Sequence, residues 1–346
     1  MKTKHILFIA ILAVITASCG SGKEFLETYS PEEGGLNMMK ITDENTNSIL
    51  GASVGNVFSA REVSIKNMKF AFSTQGGSKA SKFYWYAGRL LSLSPDGSEI
   101  AYLSRKDKQD NVMIKRSMAQ GPSTQRTFRN VSDFCWGKDG NIYFADNSDN
   151  SHSQISSTNA HQGSLVRQMT SYNLDSNPVL SDDGSLLFFT RLDDNGPSIW
   201  SLELSTGALT SCARGYNPAT IPGKNDSFVC VRNSSSGVSE IWIVNFVLGQ
   251  ETLLLTDKNR GFTNPSVSPD GNWLLCCGSS KSAASKTNNL DIFAVKMDGT
   301  NFAQMTYHPA NDCSPAWSPD GKSIYFISDR ANKSHYYNIW RMRFDY

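Results

Sequence analysis

The C-terminal three quarters of the chain is written in short apolar runs rather than in helical periods. Ile100-Ala-Tyr-Leu103, Leu186-Leu-Phe-Phe189 and Ile324-Tyr-Phe-Ile327 are apolar, aromatic-rich strands, each preceded by an Asp-Gly and a shorter apolar strand. Asp-Gly between two such runs predicts a tight hairpin, because Gly supplies the positive φ of the turn. A polar loop comes next, then a third strand opening on an Ile-aromatic pair, at Ile199-Trp200, Ile241-Trp242, Ile292-Phe293 and Ile339-Trp340. A fourth strand ends in Thr or a near equivalent, as in Gln168-Met-Thr170, Leu254-Leu-Thr256 and Gln304-Met-Thr306. No helical period interrupts this grammar, so the expected class is all-β.

The grammar repeats. Leu91-Ser-Leu-Ser-Pro-Asp-Gly97, Phe134-Cys-Trp-Gly-Lys-Asp-Gly140 and Pro178-Val-Leu-Ser-Asp-Asp-Gly184 align with Pro265-Ser-Val-Ser-Pro-Asp-Gly271 and Pro315-Ala-Trp-Ser-Pro-Asp-Gly321. Pro218-Ala-Thr-Ile-Pro-Gly-Lys224 is a degenerate copy, with Gly223 aligned to the turn Asp. From Asp96 to Asp320 is 224 residues in five intervals. That is about 45 per repeat, the period of four-stranded propeller blades. The run Ser314 to Phe344, with its Pro-x-Trp-Ser-Pro-Asp-Gly, Ile-Tyr-Phe strand, Ser-Asp-Arg and Ile-Trp strand, resembles the repeat of TolB-type propellers, and the resemblance extends over residues 89–346. It implies a β-propeller with six recognisable blades. The last repeat supplies three strands, and Asn37-Met-Met-Lys-Ile-Thr42 has the fourth-strand pattern, so the N-terminal strand is expected to close the ring. Residues 45–88 match one blade in length, which leaves a degenerate seventh open; Lys69-Phe-Ala-Phe72 and Lys82-Phe-Tyr-Trp-Tyr86 read as strands there.

The N-terminus reads differently. Lys2 and Lys4 precede an apolar run from Ile6 to Ala17, the pattern of a secretory signal. It ends in Thr16-Ala17-Ser18-Cys19, which resembles a bacterial lipobox with Thr at the usual Leu place. The resemblance implies cleavage after residue 18, diacylation of Cys19, and, with Gly20 next, an outer-membrane lipoprotein facing the periplasm. Residues 19–35 are expected to be a flexible tether and 36–346 the propeller. The whole chain has 33 Lys plus Arg against 32 Asp plus Glu, and loss of the signal leaves the mature chain at −1. That balance argues against a nucleic-acid partner.

Candidate chemistry is sparse. Asp96, Asp139, Asp183, Asp270 and Asp320 recur because a hairpin needs them, and Trp136 and Trp317 are expected in the core. Gly51-Ala-Ser53-Val-Gly55 has nucleophile-elbow spacing without the following helix, so it reads as a turn. The Cys at 135, 212, 230, 276, 277 and 313 lack zinc spacing and read mostly as buried free thiols. His152, His161, His308 and His335 are scattered through loops. Asp146-Asn-Ser-Asp-Asn150 and Asp193-Asp-Asn-Gly196 read as solvated loops rather than calcium sites. No metal, cofactor or catalytic residue is expected.

The expected function is a non-enzymatic binding scaffold for an envelope protein or peptide. The resemblance implies as much, since TolB docks a peptidoglycan-associated lipoprotein, although the α/β domain of TolB itself has no counterpart here. Alternatives are a glycan-active lyase-like propeller enzyme and a subunit of a secretion or uptake assembly. The connections feeding each innermost strand bring Tyr86, Arg89, Arg129, Asp133, Asp175, Asn177, Tyr216, Asn217, Arg260, Asn264, Asn311 and Asp312 to one channel mouth. A partner is expected there, anchored by Arg129, Tyr216 and Arg260.

Overall fold

The computed structural model describes residues 27–29, 37–42, 48–51, 61–64, 82–85, 88–106, 108–118, 122–127, 129–148, 153–162, 165–171, 174–193, 195–280, 288–330 and 336–344. They form six antiparallel blades, five with the strand order of their sequence and the sixth completed by N-terminal strands, plus one separate hairpin. The innermost strands are Leu91–Leu93, Val131–Trp136, Asp175–Leu180, Tyr216–Ile221, Phe262–Val267 and Asp312–Trp317. The first blade meets both of its neighbours around the ring. Leu90 N donates to Ser314 Oγ at 2.8 Å and Trp136 N to Ser92 Oγ at 3.1 Å. The core lies between blades: Phe188 of blade 3 and Phe228 of blade 4 pack at 5.3 Å, and Trp317 Nε1 of blade 6 donates to Ser266 O of blade 5 at 3.0 Å.

The turn between first and second strands shows why the repeat is written as it is. Ser94 Oγ donates to Asp96 Oδ1 at 2.6 Å and accepts from Glu99 N, while Asp96 also takes the Ser98 amide at 3.0 Å. Ser181, Ser268 and Ser318 repeat the arrangement on Asp183, Asp270 and Asp320. The Gly that follows sits at φ 69–76° in these four copies. Gly223 has φ 73°, so it matches the turn Gly rather than the turn Asp. Ile221 pairs directly with Lys224, so Pro222-Gly223 is a two-residue turn.

The N-terminal strand closes the ring. Asn37–Lys40 pairs antiparallel with Asn338–Arg343, with Met38 opposite Met342 and Lys40 opposite Trp340. Thr42 identifies it as a true fourth strand. In blades 1, 2 and 5 the hydroxyls of Thr127, Thr170 and Thr306 accept the amides of Val112, Ile155 and Ile292. Thr42 Oγ1 accepts Ile339 N in the same way at 2.9 Å and donates to Asn338 Oδ1. One strand was not foreseen: Glu27–Tyr29, within the expected tether, pairs with Asn37–Lys40 as a fifth strand of blade 6.

Among the described residues, 45–88 contribute no seventh four-stranded blade. Leu50 N donates to Leu103 O and Leu103 N to Leu90 O, both at 3.1 Å, so chain on either side of the segment shares one edge of blade 1. In blade 3 the residues corresponding to Leu50 and Leu90, Ser176 and Asn177, are adjacent in the chain. The segment is therefore an insertion into the first strand of blade 1. Its described part is a hairpin, Arg61–Ser64 with Lys82–Trp85. Lys69–Phe72 and the Gly-x-Ser-x-Gly residues from Ala52 to Gly55 lie outside the described residues.

Candidate functional site

A propeller has two faces. The inlet face carries the connections that feed each inner strand, and the opposite face carries the Asp-Gly turns and the hairpins between third and fourth strands.

At the inlet face each inner strand of blades 3 to 6 is interrupted by a bulge at Asn-Pro or Ser-Pro. Asn177, Asn217 and Asn264 have φ 50° and Ser314 has φ 52°. Asn tolerates the left-handed region, and the bulge accommodates a Pro that donates no ladder hydrogen bond. In blade 1 the insertion is spliced at this same place, so the returning chain crosses the lumen. Gly88 O accepts Asn264 Nδ2 of blade 5 at 3.1 Å, and Arg89 Nη1 donates to Pro178 O of blade 3 at 3.4 Å. A Cβ on Gly88 would lie 2.2 Å from Asp133 Cβ, so only glycine passes. The lumen, lined by Arg89, Asp133, Asn177, Asn217, Asn264 and Ser314, keeps about 20 Å³ of water-sized space. That is room for about one water molecule.

Asp133 is the chemical centre of this plug. It accepts Asn177 N at 2.7 Å and Asn177 Nδ2 at 3.3 Å, and burial raises its carboxyl to about 7 against the pull of those bonds and of Arg89. Burial also lowers Arg89 from the usual guanidinium range. Asn177 Oδ1 and Asn217 Nδ2 have no protein partner.

The other expected site residues divide by burial. Asp175 is fully buried in a bidentate pair with Arg191, at 2.7 and 2.9 Å, and Asp312 is buried against Arg330. Tyr216 is 1% exposed and donates to Asn233 Oδ1 at 2.9 Å, so it is not a surface anchor. Arg129 holds Asp146 at 2.9 Å, Arg260 lies 4.6 Å over the Phe293 ring, and Asn311 Oδ1 takes Leu290 N. Tyr86 lies outside the described residues. The ring of Asn and Asp is thus joined by the fold, but as internal structure around the chain's own Gly88-Arg89. Trp136 and Trp317 are buried, as are Cys135, Cys230, Cys276, Cys277 and Cys313; Cys212 is partly exposed, and all six are free thiols.

The opposite face carries a feature that sequence reasoning missed. Every described hairpin between third and fourth strands bears an exposed large apolar residue. Leu165 is 86% exposed, Val247 67% and Leu248 66%, while Met118, Leu209 and Phe302 each exceed 40%. Two grooves open beside them. One, of about 320 Å³, is lined by Leu165, Tyr143 and Arg167; the other, of about 680 Å³, by Trp273, Lys296, Asp298 and Asn301. Apolar residues in turns give no periodic signal, which is why the alternation of strands did not reveal them.

No family model matches the chain. It is similar to a putative TolB from Agrobacterium tumefaciens, with TM-score 0.57 and 17% identity over 75% of this chain and 90% of that one. TolB from Acinetobacter baumannii gives TM-score 0.55 and 18% identity, over 70% of this chain and 60% of that one. The fold is that of a TolB-like propeller. Fold is all that such identities carry, and the TolB-like blades are also those of an oligogalacturonate lyase from Vibrio parahaemolyticus, at TM-score 0.56 and 10% identity over 94% of this chain and 98% of that one. An uncharacterised protein of Agrobacterium fabrum is 28% identical over 161 residues, 44% of this chain. The match spans about half the length of that relative.

Proposed function

We propose that the protein is a non-enzymatic lipoprotein of the bacterial envelope whose TolB-like propeller docks a protein partner on its Asp-Gly face. The observation that carries this reading is the apolar residue on every described outer hairpin of that face, beside two open grooves. Exposed apolar groups grouped on one face mark interaction surfaces. The lumen supports the same reading, because small-molecule sites are clefts of about 300–1,000 Å³, and the plug of Gly88 and Arg89 leaves far less. The envelope assignment rests on the signal-like N-terminus and the Thr-Ala-Ser-Cys19 sequence, which precede the described residues.

Two experiments test the parts separately. Cys19→Ser should move the protein from the membrane to the soluble fraction and abolish labelling by a clickable fatty acid; unchanged labelling sinks the anchor. The triple variant Leu165→Ser, Val247→Ser, Leu248→Ser should keep its melting temperature and weaken partner capture from envelope extracts at least tenfold, about 1.4 kcal/mol. Capture at the original strength would overturn the docking face.

A further inference from the structure

The smaller of the two grooves on the Asp-Gly face ends at an open sheet edge. Its floor is one side of blade 2, where Tyr143 lies opposite Ser157 and Ser157 opposite Arg167 in adjacent strands. Directly opposed residues project from the same side of a sheet, and alternation puts Leu165, two places before Arg167, on that side as well. Val166–Gln168 is the outermost strand of the blade. Arg167 pairs inward with Ser157, and Met169 N donates inward to Ile155 O at 2.8 Å. The backbone groups of Val166 and Gln168 therefore alternate to the outside, where no described strand pairs with them.

The charges of the groove are unevenly spent. Asp139, the one carboxylate among its described lining residues, accepts Asn141 N at 3.1 Å, and Asn141 Nδ2 and Tyr143 Oη at 2.7 Å each. Arg105, Arg129, Arg191, Arg232 and Arg330 each hold a carboxylate elsewhere in the propeller. Arg167 is exposed and pairs with none among the described residues. Beside it, Leu165 is the most exposed large apolar residue described, at 86%. The longer outer strand of blade 4, Gln250–Leu255, offers no such free charge, because Glu251 is held by Arg232 at 2.7 Å.

An extended segment laid antiparallel on this edge sets alternate side chains about 7 Å apart. One of them meets Arg167, and the one two places later meets Leu165. We infer that blade 2 takes a segment of the docked partner as an added β-strand, pairing an Asp or Glu with Arg167 and seating a large apolar residue, two places later, against Leu165 and the groove. Main-chain hydrogen bonds to Val166 and Gln168 hold the segment, while the acid and the apolar side chain select it. The inference rests on docking at the Asp-Gly face and gives the chemistry of the partner there.

A phage library of random heptapeptides is panned on the immobilised mature chain carrying Cys19→Ser. The expected result is at least tenfold enrichment, over the unselected library, of peptides with Asp or Glu two places before Leu, Ile, Met or Phe. Arg167→Glu, an exposed change at unchanged melting temperature, should remove that enrichment and select Lys or Arg at the same place. A selected peptide, synthesised with a fluorescent label, should bind the Gln168→Pro variant at least tenfold more weakly, since proline on an edge strand removes an outward N–H and leaves the blade intact. Should that variant fail to fold, the same loss is expected when the peptide is N-methylated at alternate residues in one register and not in the other. Absence of the acidic-apolar motif, selection of the same motif on Arg167→Glu, or a peptide indifferent to the backbone changes would overturn the inference. If panning fails while Leu165→Ser, Val247→Ser, Leu248→Ser still loses partner capture, the docking face stands and the added strand does not. Selection of the motif, with capture untouched by that triple variant, keeps the strand site and overturns the docking reading.

Discussion

Asp133 and Asn177 show how one residue type can be read two ways. Asn and Asp at the start of an inner strand signal either a hydrogen-bonding surface or a backbone that needs the left-handed region, and the sequence does not separate the two. The structure uses them for the bulge at φ 50° and for the plug around Gly88. Asp133 has a testable consequence. Its carboxyl is raised by burial to about 7 from an ordinary 3.8. Unfolding lets it ionise more easily, so its contribution to stability is complete below about pH 4 and is lost as pH rises through 7. Asp133→Asn removes that loss, and Asn177 can accommodate the new amide by turning its unpartnered Oδ1 toward it. The melting temperature of the variant, taken relative to the parent, should rise by about 2 °C or more between pH 5 and pH 8. A difference independent of pH would show that Asp133 does not titrate there. Asp96, Asp183, Asp270 and Asp320 behave oppositely, held down by hydrogen bonds within their turns; bonds from Ser94 and from the Ser98 amide hold Asp96 at about 2, which is a structural role.

At the scale of the element, the hairpins were legible because Asp-Gly fixes a turn whose backbone requirement belongs to Gly. The closing strand was legible because Thr42 repeats the hydroxyl cap found in three other blades. Thr42→Val leaves the buried Ile339 amide without its acceptor and should destabilise the protein by about 1–3 kcal/mol in urea; Thr42→Ser should be close to neutral. Equal effects of the two substitutions would mean that the cap is not what holds the strand. Deleting residues 36–43 should do more, exposing the edge of Asn338–Arg343 and producing aggregates by light scattering. A monomeric deletion variant of unchanged stability would contradict the pairing. The insertion was not legible, because its length happens to equal that of a blade. Gly88 distinguishes the two cases: Gly88→Ala should disturb the plug and destabilise by about 1–3 kcal/mol, as overpacking does, whereas in a free connecting loop it would be silent.

For the whole molecule, the ring of four-stranded blades followed from period and pattern, with the seventh blade left open, while the face proposed for docking did not. The inlet face drew attention because its Arg, Tyr and Asn recur in register. Seven of those residues, Asp133, Asp175, Asn177, Tyr216, Asn217, Asn264 and Asp312, are buried. The Asp-Gly face gave no periodic signal, yet it carries most of the exposed large apolar residues and the grooves. The most direct test of the account is a photo-crosslinking map in living cells. A benzophenone amino acid is placed singly at positions 165, 209 and 248 on one face, and at 129 and 260 on the other. The account predicts one common protein adduct from 165, 209 and 248 and none from 129 or 260. A protein adduct formed from 129 and 260 alone would contradict it and return the docking site to the channel mouth.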